Sequence, residues 1–289
     1  MKNQYEIIFI TACCDTVEIQ NLVKSLNHNN TSLRILLIIT NMSGKFLNFT
    51  ENLNFDHKLL NVSKMLNSSE SRNLGIDYVL QNNLFSHYIA YPDDDTTYDK
   101  SFFNFFNNLF KSNPINFKNY ICNVKCREDI NLYYRKKISN IPFKATKYNF
   151  DNVGAVNMIL NFDTFYNIKF FNEKYGVGSI YGAGEDGDYF LRVLKYTDIF
   201  YNPNLYTIHP APNISLLNNK DLKERMVKYS RGVISILCLH NMYLFAFYIT
   251  IRALGGFFIH LNTNFKISIL YLKLFFIRLY FLFKYSIHV

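Results

Sequence analysis

Over its first ninety positions the chain alternates between two spacings of apolar residues. Apolar runs at residues 5–12, 34–40, 57–62 and 87–91 have the length of strands. Helical spacing lies between some of them, at 16–27 behind Asp15 and at 69–81, where Ile76, Val79 and Leu80 share a face. Strand, helix and strand in that order predict a mostly parallel sheet covered by helices on both sides. Active groups on such sheets gather beyond the carboxyl ends of the strands, so the residues after Tyr91 are the first place to look for chemistry.

Residues 98–111 predict an amphipathic helix. From 113 to 160 the pattern weakens to short β-like pieces at 120–124 and 155–160. A glycine-rich stretch, 176–187, leads into a predicted helix at 185–196. A short strand near 205–209 follows, ended by Pro210 and Pro212. From about residue 220 the character changes to helix, which divides the chain into an α/β body, 1–219, and a helical tail, 220–289. No internal repeat interrupts this plan.

The tail has its own pattern. Residues 233–251 carry no formal charge, close to the roughly 20 apolar residues that cross a bilayer core. His240 and Asn241 stand near the middle of that run, and Arg252, Gly255 and Gly256 follow it. Residues 265–285 place Lys266, Lys273, Arg278 and Lys284 among Leu, Ile, Phe and Tyr, which predicts a basic face on a helix lying in the membrane interface. In-plane helices are the expectation; a crossing helix and a buried hairpin are the alternatives.

Composition sharpens this picture at three points. With 49% hydrophobic and 18% charged residues, the chain is not disordered and has ample side chain for a core. The wealth of Phe, Tyr, Asn, Ile and Lys has the look of an AT-rich coding bias, which gives Asn-rich stretches little structural weight. The net charge of +9 is uneven: residues 221–289 hold 9 Lys/Arg against 2 Asp/Glu, and the other 220 residues hold 22 against 20. A basic tail that is apolar between its charges points to an anionic membrane surface, and no nucleic-acid partner is expected. Five Cys make no disulfide framework, and Cys122 and Cys126 lack the second pair or nearby His of a zinc site, so reduced structural thiols are expected. The first apolar run reads as a strand rather than a signal segment, which places the body in the cytosol.

Three segments could carry chemistry. Asp93, Asp94 and Asp95 follow Tyr91 and Pro92 at a strand end. Such a triplet is either a clamp for a divalent cation on a diphosphate or a solvated acidic turn at a helix start. Gly182-Ala183-Gly184-Glu185-Asp186-Gly187-Asp188 runs into a helix. Its acids are either caps, with an ordinary pair from Asp188 to Arg192, or a positioned general base reached by glycines that let backbone approach a substrate. In Ser71-Arg72-Asn73-Leu74-Gly75-Ile76 a helix start and Arg72 would suit an anion; a surface arginine is the plainer reading. His209, before Pro210, is either a packed histidine or a ligand. Two acidic clusters, each behind a turn or strand end, favour a shared site.

The order of these elements resembles the family 2 glycosyltransferases of the GT-A fold, in particular the bacterial enzymes that build surface polysaccharides. An apolar first strand, S-R-N-x-G-I, Y-P-D-D-D, G-x-G-E-D-x-D-Y-x-x-R and H-P occur in that sequence across roughly residues 4–212. The resemblance implies a Rossmann-like, mostly parallel sheet flanked by helices, with a membrane-associated tail. It implies that Asp93 and Asp95 bind the nucleotide-sugar and its Mg²⁺ or Mn²⁺, with Asp94 in the same element. By the same resemblance Arg72 lies near the nucleotide, and His209 helps with metal or diphosphate. Asp186 is implied as the base toward the acceptor hydroxyl, with Glu185 and Gly184 shaping the acceptor site. The implied reaction is an inverting displacement from a nucleotide-sugar donor, of hexosyltransferase type. Resemblance and tail together imply a polyprenyl-diphosphate-linked saccharide acceptor, O-antigen or capsule synthesis, and a peripheral or monotopic enzyme on the cytoplasmic face of the inner membrane.

There are departures. The second strand ends in Asn41, where the family commonly has an acidic pair that reads the base, and the first leads into Cys13-Cys14-Asp15 rather than Pro-Thr-Tyr-Asn. Asn41 is carried over as the nucleotide-site residue at that position, and the nucleotide stays open. Two other classes fit part of the pattern. Asp93 to Thr97 matches the D-x-D-x-T element of haloacid-dehalogenase-like phosphatases, with Asp93 as nucleophile. An inactive, membrane-attached scaffold is the non-enzymatic alternative.

Overall fold

A computed structural model of the chain describes residues 4–30, 32–49, 51–112, 116–133, 137–211 and 219–286. Pro212 lies outside the described residues. Contacts divide the chain into two compact units, Met1–Phe171 with Tyr189–Pro212, and Asn172–Asp188 with Asn213–Val289. The segment 172–188 thus belongs with the helices that follow residue 212, whereas a boundary at 219/220 leaves it with the α/β body.

The first unit holds β1 (Gln4–Cys13), α1 (Glu18–Asn29), β2 (Ile35–Asn41), β3 (Asp56–Asn61), α2 (Ser68–Gln81), β4 (Phe85–Ala90) and α3 (Lys100–Lys111). It continues through β5 (Asn119–Cys126), β6 (Phe143–Lys144), β7 (Met158–Asn161), α4 (Phe162–Ile168) and β8 (Ile199–His209). Helix α5 (Glu185–Tyr196) starts in the segment of the second unit and ends in the first. The strands form one sheet in the order β3-β2-β1-β4-β7-β5-β8-β6. Six run in one direction, with β6 and β7 against them.

The apolar runs of β1, β2 and β4 become largely buried strands because both sheet faces are covered there, whereas β3, at the sheet edge, leaves Asp56, His57 and Lys58 exposed. All seven residues of β2 are buried. Ile7 and Phe9 on β1 join Leu22 and Leu26 of α1 and Phe102 and Phe106 of α3 in one core. The alternate positions face α2, and there the approach is close. A Cβ on Gly75 would stand 2.4 Å from Ile10 Cγ2, so only glycine lets this helix lie against the sheet.

Strand β6 and helix α4 were not expected, and β8 is longer than expected. Helix α4 starts behind Asn161, whose side chain accepts from the Thr164 amide. Strand β8 begins at Ile199, six residues before the predicted run. Asn202-Pro203-Asn204 has the composition of a turn but sits inside the strand. The pairing with β5 slips there, from Ile121 opposite Tyr201 to Asn123 opposite Tyr206, and Asn123 Nδ2 donates to the Pro203 carbonyl at 3.3 Å. That bulge is how a strand next to the sheet edge holds a proline.

In the second unit the segment 172–188 packs with α6 (Asn219–Leu239), α7 (Tyr243–His260) and α8 (Phe265–Ser286). The uncharged run 233–251 is not one helix: α6 ends at Leu239, Asn241 takes φ +56°, and α7 starts at Tyr243. Helix α7, 18 residues long, is long and apolar enough to cross a membrane by length and composition. Arg278, expected on the basic face, turns inward instead. Its Nε donates to Ser230 Oγ at 3.1 Å and its Nη1 to the Ile249 carbonyl at 2.8 Å, which ties the three helices together. Lys266, Lys273 and Lys284 stay exposed.

Candidate functional site

The carboxyl ends of β1, β2, β4, β5 and β8 open along one edge of the sheet, and the first unit's polar residues collect there. β4 ends at Ala90, and the chain turns at Asp93, whose carbonyl accepts from the Thr96 amide at 3.0 Å while its amide donates to Thr96 Oγ1 at 3.1 Å. Thr97 and Ile208 then exchange both backbone hydrogen bonds, at 2.8 and 3.0 Å. This fixes the acidic turn against the last residue of β8, His209. His209 Nε2 lies 2.9 Å from Asp95 Oδ1 and 3.7 Å from Asp93 Oδ2.

Among the described residues, Asp93, Asp95 and His209 are the group of three whose ligand atoms all lie within 4.8 Å of one another. Burial alone would lower the pKa of His209. Its hydrogen bonds to Asp93 and Asp95, the Asp95 charge and the Pro210 carbonyl outweigh that and push it up to about 10. Burial works against ionisation of Asp93, yet hydrogen bonds and charge from His209 and Arg72 hold its carboxyl below the usual range. The donor set fits a hard or borderline divalent cation, and the imidazole tilts it toward Mn²⁺ over Mg²⁺. His209 Nδ1 donates to the Pro210 carbonyl at 2.9 Å, which aims Nε2 at the carboxylates as a metal-binding histidine is usually aimed.

The S-R-N-x-G stretch has a physical reason at each position. Ser71 offers its carbonyl to Thr40 Oγ1 at 2.8 Å. Arg72, with 6% of its side chain exposed, pairs with Asp93 at 2.6 Å and lies over the Phe171 ring. Asn73 clamps the Phe171 backbone from both sides, at 3.0 and 2.8 Å, and Gly75 allows the contact with Ile10. One expectation is corrected. The start of α2 offers no open amides to an anion, because Asn67 caps Ser69 and Glu70 while Glu70 caps Asn67. Arg72 sits a turn inside the helix and pairs with Asp93.

Asp94 points the other way. Its Oδ2 accepts from the amides of Cys14 and Asp15, at 2.8 and 3.1 Å, and so ties the acidic turn to the loop after β1, where the strand order switches direction. Burial raises its pKa, partly offset by those two bonds, and Asp95 and Asp93 raise it further. Asn41 is buried in a knot of its own: Nδ2 donates to the Lys45 carbonyl and Asn61 Oδ1, both at 2.9 Å, and Oδ1 accepts from the Ser43 amide and hydroxyl. It builds the β2–β3 end of the edge.

Glu185, Asp186 and Gly184 lie in the second unit. Gly184 takes φ +105°, and a Cβ there would stand 2.1 Å from Ile236 Cδ1. A Cβ on Gly232 would meet the Ala183 carbonyl oxygen at 2.3 Å. The close approach these glycines permit is therefore of loop against α6. Glu185, 8% exposed, and Asp186 open helix α5 in its first turn. Two residues that no motif marked also hold site residues: Arg127 bonds the Asp95 carbonyl, and His240 pairs with Asp188. All five cysteines are free thiols, and none joins a metal-binding group among the described residues.

No protein-family model and no curated protein sequence matches the chain. Solved structures do. One S. aureus TarS structure superposes with a TM-score of 0.54 at 10% identity, over 81% of this chain and 42% of that one. TarS 1–349 in complex with UDP gives the same TM-score and identity over 81% and 70%. TarS 1–349 in complex with UDP-GlcNAc gives 0.52 at 11% identity over 81% and 71%. The chain thus spans less than half of the longer TarS chain. The eight-stranded α/β unit, with Asp93, Asp95 and His209 at the carboxyl edge of its sheet, has the GT-A-type fold of TarS.

Proposed function

We propose that this chain is an inverting, metal-dependent glycosyltransferase of family 2 that moves a sugar from a nucleotide-sugar to a lipid-linked saccharide. The observation that carries this reading is the Asp93–Asp95–His209 group, braced by Arg72, at the strand ends of a fold shared with structures solved with UDP and UDP-GlcNAc. Asp93, Asp95 and His209 would hold Mg²⁺ or Mn²⁺. Bound there, the cation supplies charge neutralisation to the departing diphosphate. Arg72 keeps Asp93 ionised and fixed. Asp186 takes the proton of the acceptor hydroxyl and Glu185 shapes the acceptor site, roles that rest on the resemblance.

The acceptor class, a saccharide on a polyprenyl diphosphate for O-antigen or capsule, rests on the resemblance and on the tail. Leu244, Phe258 and Ile259 of α7 and Phe265, Phe276 and Phe283 of α8 are exposed, with Lys266, Lys273 and Lys284 beside them in sequence. That pairing of apolar and basic surface supports a place on the cytoplasmic face of a bacterial inner membrane. The phosphatase reading has no observation of its own. Arg72 and His209 hold the Asp93 carboxyl ionised, which suits it to cation binding.

The test is a thermal-shift panel of UDP, GDP, dTDP and CMP, each with and without Mn²⁺, on wild type and Asp95→Asn. One nucleotide is expected to stabilise the wild type only with metal, by about 2.7 kcal/mol at about 100 times its Kd, and Asp95→Asn is expected to abolish this. Asp186→Asn is expected to keep that shift and lose sugar transfer. A wild type that no nucleotide stabilises would overturn the reading.

A further inference from the structure

Asp95 and His209 come from distant parts of the chain, and a single residue touches the backbone of both. Arg127 follows the last residue of β5. Its amide donates to the His209 carbonyl at 2.9 Å, continuing the β5–β8 ladder by one bond. Its Nη2 donates to the Asp95 carbonyl. Its Nη1 pairs with Glu18 Oε2 of α1 at 2.7 Å, with 27% and 32% of the two side chains exposed. The guanidinium therefore bridges a helix and the acidic turn, while its own backbone is bonded to the histidine strand. The neighbouring Glu128 adds a stitch by accepting from the Ala211 amide at 2.8 Å.

We infer that Arg127 is a positioning residue for the cation site, which sets the distance between Asp95 and His209 from behind, with Glu18 as its anchor. The inference rests on the metal-binding reading of the Asp93–Asp95–His209 group. A planar fork is what this task requires, because one guanidinium edge must meet a carboxylate and a carbonyl in fixed directions at once. A lysine would reach one of the two. Since both Nη groups are engaged, Arg127 acts on the site through Asp95 and His209 rather than as a ligand of its own. Outer partners of this kind change metal affinity by about 10- to 100-fold when removed.

The experiment is a titration of the full chain with Mn²⁺ alone, followed by the electron paramagnetic resonance signal of free Mn²⁺, on wild type, Asp95→Asn, Arg127→Met, Arg127→Lys and Glu18→Gln. Denaturation midpoints without metal are measured alongside. Wild type is expected to bind, and Asp95→Asn to lose binding. Arg127→Met is expected to bind at least about tenfold more weakly while still folding, with Arg127→Lys and Glu18→Gln between the two. Should Arg127→Met fail to fold, Glu18→Gln carries the test, because it leaves the arginine in place and removes the negative charge that anchors it. An Mn²⁺ affinity within about twofold of wild type in the folded arginine variant, or in Glu18→Gln where that variant does not fold, overturns the inference and leaves the metal site standing. If wild type itself takes up no Mn²⁺, the metal reading fails first and takes the inference with it. Were Arg127 instead a contact for the nucleotide diphosphate, its variants would bind Mn²⁺ normally and lose only UDP-type ligands, which also overturns the inference.

Discussion

His240 Nε2 lies 2.9 Å from Asp188 Oδ1, and the two side chains are 4% and 2% exposed. The pair joins the turn after α6 to the first turn of α5, two residues beyond Asp186. A buried carboxylate that loses such a donor is strongly destabilised, whereas replacing both partners by apolar groups is often neutral. His240→Leu is expected to lower unfolding stability by about 3 kcal/mol, and the Asp188→Leu/His240→Leu double variant to recover most of it. Urea denaturation reads both, and a single variant as stable as wild type would show that the bond contributes nothing.

Gly184 meets two constraints that can be separated. Its φ of +105° disfavours any side chain, and the space a Cβ needs is filled by Ile236 Cδ1 at 2.1 Å. Gly184→Ala is expected to cost about 2 kcal/mol or more. Adding Ile236→Val removes the clashing methyl but not the backbone strain, so the double variant should recover only part of the loss. Full recovery in denaturation experiments would place the whole effect in packing.

Metal binding should depend on pH through His209. Its folded-state pKa, about 10, lies above the ordinary 6.5. The stability this pairing contributes is therefore whole below about pH 6.5 and is lost as pH rises toward about 10. A cation must displace that proton. Mn²⁺ affinity is expected to rise by up to about tenfold per unit between about pH 6.5 and about pH 8.5. His209→Gln should bind more weakly and flatten the profile, and an unchanged slope in the variant would assign the proton to another group.

The exposed lysines of α8 should govern lipid preference. The full chain is expected to float with vesicles that contain anionic phosphatidylglycerol and to be released by salt. Each lysine near such a surface contributes about 1 kcal/mol. Lys266→Gln/Lys273→Gln/Lys284→Gln is therefore expected to weaken flotation about a hundredfold on anionic vesicles and little on neutral ones. Arg278→Gln should instead lower stability, because that guanidinium bonds Ser230 and the Ile249 carbonyl.

Strands β1, β2 and β4 and helices α1, α2, α3 and α5 were legible because burial on one or both faces imposes a period on the side chains themselves. Strand β8 was only half legible, since Asn202-Pro203-Asn204 has turn composition and nothing local reveals that a neighbour accommodates it as a bulge. The break at residues 240–242 was hidden because absence of charge carries no information on helix continuity. Asparagine was undervalued. Asn73, Asn119 and Asn157 are buried and make backbone contacts between distant segments, so an abundance consistent with coding bias still does structural work at particular positions.

In the site, Asp93, Asp95 and Arg72 could be picked out because consecutive carboxylates at a strand end repel one another unless something compensates. Arg127 could not. Its partners in the acidic turn and in β8 are main-chain carbonyls, which every residue has, so no side-chain pattern records them. Asp94 and Asn41 stood in motif positions, and their side chains bond the loop after β1 and the turn after β2. A motif marks where chemistry gathers more readily than which of its members performs it.

The pairing of residues 172–188 with the helices beyond 212 bears on how such chains can be recombined. A chimera that exchanged only residues 219–286 would set Gly184 against a foreign helix in place of Ile236, and Ala183 against something other than Gly232. Asp188 would likewise lose His240. Exchange should succeed only when two separate stretches of gene travel together. Natural lineages that exchange the tail are then expected to inherit loop and tail as one unit, although 24 codons of the other unit, Tyr189–Pro212, lie between them.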